Sequence, residues 1–274
     1  MKKLLLIDGH NLLFKMFFGM PFPFYNDTEQ DITGTVGFVG TVVKIIKYLK
    51  ADDCLVVFDG ENSKTIRPAP EYKANRQADY SSLSDNENPF TQLKYIKAVL
   101  TELNIKLVET DTIECDDYIS IIAEKYSGEV YISSTDTDFY QLVNNKIKII
   151  RYRGKQTVII DTDYITNKFG ILPTDYALFK ALTGDKADNI KGIYKVGAVT
   201  AKHIINSIKH NYLDKYSAIY NNNLPIIKSN LSLIELPNKN INKANYQLGN
   251  YNIDSSNFKN FKVLELIKRV TSNL

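Results

Sequence analysis

Nine carboxylates in this chain stand where backbone elements should end: Asp8, Asp59, Glu114, Asp116, Asp117, Asp136, Asp138, Asp185 and Asp188. Asp8 closes the apolar run Leu4-Leu5-Leu6-Ile7, and Asp59 closes Leu55-Val56-Val57-Phe58. Each is therefore expected at the carboxyl end of a buried strand, the edge of an open parallel sheet where ligands collect. Glu114, Asp116 and Asp117 open a helical pattern in which Glu114 and Asp117 share a face and Asp116 lies one residue round. Asp136-Thr137-Asp138 follows another apolar run, and its spacing can send both carboxylates toward one cation; Asp185 and Asp188 stand three apart. So many acids converging would repel one another unless hard divalent cations neutralised them. An oxygen-only donor set without supporting histidines suits Mg²⁺ or Mn²⁺. The chemistry implied is metal-dependent work on phosphates.

Taken singly, each group has a plainer explanation. Asp8 followed by Gly9 can be an N-cap at a tight turn, the acids of 114–117 can complement a helix dipole, and Asp-x-Asp is common in turns. Asp59-Gly60 repeats the Asp8-Gly9 arrangement after a second strand, which makes capping a less sufficient account.

The elements that must position these acids follow from the hydrophobic pattern. Strand-like runs at 3–7, 55–58, 105–109, 130–133 and 147–150 alternate with helical patterns at 34–50 and 114–126. That alternation argues an α/β fold with a mostly parallel sheet flanked by helices. From Tyr164 the strand signal gives way to helical spacing broken by Gly170, Pro173, Gly184 and the Gly192 to Gly197 loop. The division expected is residues 1–163 as the sheet core and 164–274 as a helical extension packed on it.

With 274 residues and 44% hydrophobic content, the chain can bury a sizeable core. The net charge is only +3, yet gathering nine acids at one place would leave a basic rim. An acidic centre in a basic rim suits nucleic acid, although a plain solvated surface accounts equally for the charge alone. Cys54 and Cys115 make no disulfide framework and have no zinc-ligand spacing, as expected of a protein in a reducing cytoplasm. Asp8 interrupts the apolar start too early for a signal peptide, and no segment is long enough to span a bilayer.

In their order along the chain, Asp8, Asp59, the Glu114/Asp116/Asp117 group, Asp136/Asp138 and Asp185/Asp188 resemble the 5′ nuclease family. That family comprises flap endonucleases, phage 5′–3′ exonucleases and the 5′ nuclease domain of bacterial DNA polymerase I. Glu71-Tyr72-Lys73-Ala74-Asn75-Arg76 resembles the family's YKxNR stretch, and the match runs from about Lys3 to His210. The resemblance implies a PIN-like fold with a helical arch over about 72–100, a helix–three-turn–helix element in the extension, and hydrolysis of DNA phosphodiesters at 5′ flaps and ends. It implies that all nine carboxylates hold two or more Mg²⁺ or Mn²⁺ ions, with Asp116 and Asp136 central to catalysis. It further implies that Lys73 and Arg76, one helical turn apart, polarise the scissile phosphate, that Tyr72 stacks on a terminal base, and that Lys15 contacts a phosphate.

Gly192-Ile193-Tyr194-Lys195-Val196-Gly197, with Lys202 beyond it, is similar to the family's duplex-binding loop and its site for a monovalent cation such as K⁺. Here the chain departs from the pattern: Lys195 stands where the family has glycine, and Val199 where a lysine is common. The chain is expected to act as a monomer on branched or duplex DNA, with no membrane partner. Two rivals remain at this point, a PIN-like ribonuclease and a catalytically silent junction-binding protein. The YKANR stretch and the Gly192 region weigh against the first, and the full set of carboxylates against the second.

Overall fold

Six strands form one sheet in the order β3-β2-β1-β4-β5-β6, parallel except for the last. They are β1 (Lys3–Asp8), β2 (Asp53–Asp59), β3 (Lys106–Thr110), β4 (Glu129–Ser133), β5 (Ile147–Arg151) and β6 (Val158–Ile160). The computed structural model describes residues 1–60, 67, 71–73, 84, 87–239, 241 and 260–274. Arg76 and most of the central loop of the expected arch lie outside these residues.

The apolar runs become strands buried on both faces, as a helix-covered parallel sheet requires. In β1 the side chains alternate: Leu4 and Leu6 belong to one apolar cluster, Leu5 and Ile7 to the other. The first cluster is covered by α4 (Cys115–Lys125), α5 (Thr162–Phe169), α6 (Tyr176–Thr183), α7 (Ala198–Lys209) and α9 (Leu224–Ile234). The second is covered by α1 (Gly9–Gly19), α2 (Thr33–Leu49), α3 (Leu93–Glu102) and α10 (Asn260–Ser272). One apolar cluster thus runs from the sheet into residues beyond 164, while α10 returns to the opposite face, where Val263 and Ile267 are buried. Between α7 and α9 lies α8 (Lys215–Asn222), capped by Asp214.

One strand was not expected, and two expectations are corrected. The edge strand β6 was not foreseen; it pairs antiparallel with β5 through Ile149–Ile160. The arch expected over 72–100 includes α3, whose Ile96, Val99 and Leu100 are fully buried against the sheet, so 93–100 belongs to the core. Glu71, Tyr72 and Lys73 form a turn rather than helix, with Lys73 at φ 55°, a left-handed conformation that an α-helix cannot continue.

In the extension, a short hairpin of β7 (Gly184–Asp185) and β8 (Ile190–Lys191) carries the Asp185/Asp188 pair. This hairpin is tied to the Tyr72 turn: Lys73 N–H donates to the Asp188 carbonyl at 3.1 Å, and Asn189 Nδ2 donates to the Glu71 carbonyl at 2.9 Å.

Candidate active site

The strand order reverses beside β1: the chain builds outward through β2 and β3, then returns to place β4 on the other side. A sheet with such a switch opens a crevice at its carboxyl edge. Asp8 ends β1 there and opens α1. Its Oδ1 accepts from Asn11 N–H at 3.1 Å, a true N-cap, while its Oδ2 accepts from Ser134 Oγ at 2.8 Å across the crevice. The capping role and the cleft position coexist in one side chain.

Asp59 ends β2, and its Oδ1 accepts from Cys115 N–H at 2.7 Å, at the amino end of α4. Burial opposes its ionisation, but His10 and the Cys115 amide outweigh it and hold this carboxyl below its usual range. Glu114 is the N-cap residue of α4, and Asp116 lies in its first turn. Asp136 leaves the β4 loop and bends back, its Oδ1 accepting from Asp138 N–H at 2.8 Å. Asp8, Asp59, Glu114, Asp116 and Asp136 all line one cleft of about 430 Å³, with His10, Asn11, Phe14, Lys15, Lys73 and Thr135.

The electrostatics mark this cleft as a place for added positive charge. Burial, reinforced by Asp59 and Asp136, pushes the Asp8 carboxyl up to about 6. Asp116 is raised well above its usual value, again mainly by burial, with Glu114 and Asp117 adding to it. Among the described residues no ion pair reaches Asp8, Asp116 or Asp136. Carboxylate oxygens with no side-chain cation bound to them fit a hard divalent ion.

Two further groupings adjoin the cleft. Glu114, Asp116 and Asp117 bring one ligand atom each within 4.8 Å of one another, as do Asp138, Asp185 and Asp188. Both contain a side-chain cation the sequence reading did not assign. Arg67, buried at 5% exposure, bridges Glu114 and Asp117, with bonds of 2.6 and 3.1 Å to the two Asp117 oxygens. Asn238 N–H adds 2.7 Å to Asp117 Oδ1. Asp117 is fully buried beneath the cleft and accepts from the Arg67 guanidinium. Lys180 bridges Asp138 and Asp185 in the second grouping.

The expected substrate-contacting residues are distributed unevenly. Lys73 reaches into the cleft, its Nζ 2.6 Å from Glu114 Oε1; burial works against its charge, but Asp116 and Glu114 more than compensate. Lys15 lines the same cleft beside Arg151 and Arg153, with its Nζ 3.4 Å from the Tyr152 carbonyl. Tyr72 is half-buried against Ala177, Ala181, Ile190 and Ile234, so its ring packs on the extension instead of presenting itself to a base. Gly192 has a packing reason: a Cβ there would stand 2.3 Å from the Thr183 carbonyl carbon. Gly197 is extended, and a Cβ on it would meet nothing within 4 Å. Lys195 is exposed at φ 61°, and Lys202 lies across Gly170.

His10 is a cleft residue that the sequence reading did not single out. Its Nδ1 accepts from Asp59 N–H at 3.2 Å, and its ring sits edge-on to Phe58 and Phe90. A histidine directly after Asp-Gly at a strand's end was the available signal. For Lys180 the signal was a lone lysine inside the apolar helix Tyr-Ala-Leu-Phe-Lys-Ala-Leu, five residues before Asp185.

Comparison with known proteins agrees with this geometry. A family model described as "5′-3′ exonuclease, N-terminal resolvase-like domain" matches residues 3–170. The 5′-3′ exonuclease of Buchnera aphidicola subsp. Schizaphis graminum is 30% identical over 259 residues, covering 91% of this chain and 82% of the relative. DNA polymerase I of Borreliella burgdorferi is 30% identical over 215 residues, covering 76% of this chain but only 23% of the polymerase. The bacteriophage T5 D15 flap endonuclease, solved in complex with DNA and metal ions, superposes with a TM-score of 0.67 at 21% identity over 99% of this chain and 98% of that one. From the strand order, the acidic cleft and the matched sequence together, this chain belongs to the 5′-3′ exonuclease family of nucleases.

Proposed function

We propose that the protein is a structure-specific nuclease that hydrolyses DNA phosphodiesters at 5′ flaps and 5′ ends with two or more Mg²⁺ or Mn²⁺ ions. The observation that carries this reading is the cleft where Asp8, Asp59, Asp116 and Asp136 meet beside the Lys73 ammonium, with no ion pair from the described residues reaching three of the four. Divalent ions held there would activate a water and stabilise the leaving oxygen of an in-line displacement.

The chain's own residues supply the rest. Asp8, Asp59, Glu114, Asp116 and Asp136 hold positive charge at the sheet edge, and Asp138, Asp185 and Asp188 extend the acidic surface. Lys73, reaching over from its turn, donates to a non-bridging phosphate oxygen where negative charge grows in the transition state. Lys15 with Arg151 and Arg153 attracts the adjoining phosphates. The extension of residues 164–274 grips duplex through the Gly192–Gly197 loop and Lys202, and the exposed Lys195 side chain brings a charge where the family places a bound K⁺.

The cleft is complete within one chain, which favours a monomer. No helix among the described residues is long and apolar enough to cross a membrane; a reducing cytoplasm suits the two buried free cysteines.

The deciding experiment incubates the protein with an end-labelled 5′-flap duplex in Mg²⁺ or in EDTA, with an RNA flap in parallel. Cleavage near the junction of the DNA flap, abolished by EDTA, is expected. Cleavage of RNA alone would turn the reading toward a ribonuclease, and binding without cleavage in either metal would overturn it.

A further inference from the structure

Lys180 is the most deeply buried lysine among the described residues, 6% exposed, on a helix whose neighbouring Phe179, Ala181 and Leu182 are core residues. Its side chain nevertheless ends on two carboxylates, Asp138 from the loop after β4 and Asp185 from the β7–β8 hairpin. These, with Asp188, are the carboxylates that converge within 4.8 Å. A buried ammonium is tolerated only when paired, and a group of carboxylates of which Asp138 and Asp188 are buried and Asp185 half-buried only when neutralised, so each arrangement answers the other. Burial disfavours charge on Lys180, but Asp138 and Asp185 outweigh it and hold the ammonium protonated. Asp185 in turn is held below its usual range, burial notwithstanding, chiefly by its bond to Lys180.

We propose that Lys180 is a tethered cation that fills the Asp138–Asp185–Asp188 group whenever no divalent ion does, so that an ion binds there only by displacing it. This rests on the reading of the acidic clusters as ion sites. The ammonium hydrogen-bonds oxygens that an ion would need, one from each of two separate elements. Both cannot hold those oxygens at once, and a +1 group kept beside a +2 ion in a buried pocket is repelled. The lysine stem, with its rotatable bonds, can withdraw where a rigid guanidinium such as that of Arg67 would not. Loading is therefore ordered: the cleft of Asp8, Asp59, Asp116 and Asp136, with no ion pair from the described residues at three of its acids, fills first. The Lys180 group fills second and more weakly. Because the lysine keeps the hairpin and the β4 loop together meanwhile, the metal-free enzyme stays assembled.

The test is a Mn²⁺ titration of the full chain, reading free Mn²⁺ by its EPR signal, combined with thermal unfolding in EDTA and in saturating Mn²⁺. The wild type is expected to show a tighter and a weaker class of site. Lys180→Met should strengthen the weaker class tenfold or more, leave the tighter within about twofold, lower the melting temperature in EDTA and recover it in Mn²⁺. A Lys180→Met protein that folds only with Mn²⁺ present would support the proposal equally. If the weaker class is unchanged or weakened, Lys180 merely orients the carboxylates and the proposal fails. It fails also if the variant is unfolded with and without Mn²⁺. A wild type that binds no Mn²⁺ would overturn the functional reading itself, a result separable from the others.

Discussion

Asp8 carries three duties at once: it ends a strand, caps α1 and faces the cleft, and its two oxygens accept from Asn11 and Ser134. Among the described residues Asp116 and Asp136 accept one bond each, from Asp117 N–H and Asp138 N–H, which leaves more of their donor capacity for an ion. Replacing Asp116 or Asp136 by Asn is therefore expected to lower cleavage by about 10²-fold or more, because misplaced ions lose transition-state stabilisation. Binding of flap DNA should survive, and for Asp116→Asn the metal-free melting temperature should rise, since desolvation disfavours the charged carboxylate more than Lys73 and Arg67 favour it. Equal losses of cleavage and binding would make these residues structural. Lys73→Ala should reduce the single-turnover rate far more than affinity, as expected of a contact strengthened in the transition state; a loss of affinity alone would show that it only positions DNA.

At the scale of elements, the hairpin β7–β8 is held against the end of α6 with no room for a side chain at Gly192. Gly192→Ala should cost about 1–3 kcal/mol by chemical denaturation, the usual range for overpacking, and should displace the carboxylates of Asp185 and Asp188. Lys195→Gly moves the other way: it relieves a left-handed non-glycine residue and should stabilise by about 0.5–1 kcal/mol. In the same variant, the log–log salt slope for duplex binding should fall by roughly one unit. An unchanged slope would mean Lys195 points away from the duplex. The strands β1, β2 and β4 were legible because each holds an uninterrupted apolar run, β5 because Ile147, Ile149 and Ile150 cluster around a single lysine, and α2 and α4 because their apolar spacing is helical. β6 was not, since Val158-Ile159-Ile160 is too short to separate from its flanking turns. The Lys73 turn was illegible for a different reason, because a left-handed lysine leaves no trace in residue type. The carboxylates were found by their places at strand and helix ends, whereas Lys180 and Arg67 escaped because long cationic side chains are ordinarily solvated and only tertiary contacts reveal them as counter-ions.

Across the whole molecule, activity and stability occupy different ends. α10 packs on α2 and α3, on the sheet face opposite α4 and α6. Ile267→Ala, at a residue 1% exposed, should therefore destabilise by about 2–5 kcal/mol while leaving kcat unchanged; a lowered kcat in the folded variant would show coupling between the layers. Mg²⁺ at about a hundred times its Kd should add about 2.7 kcal/mol of stability, read as a rise in melting temperature over the EDTA value.

The same packing has a consequence in time. β1 finds its second neighbour in β4, and the Asp8–Ser134 bond spans 126 positions; Asn26 reaches 245 positions to the Thr271 carbonyl. Contacts this distant in sequence form slowly and cannot form at all until the later partner has been synthesised. A nascent chain carrying Asp8 and Asp59 has only half of its acidic crevice, and the outer face of α2 stays uncovered until residues 260–272 have been made. The acidic groups are therefore complete only once Asp185 and Asp188 have been made, and until α10 follows, the exposed face of α2 is the surface a chaperone would meet.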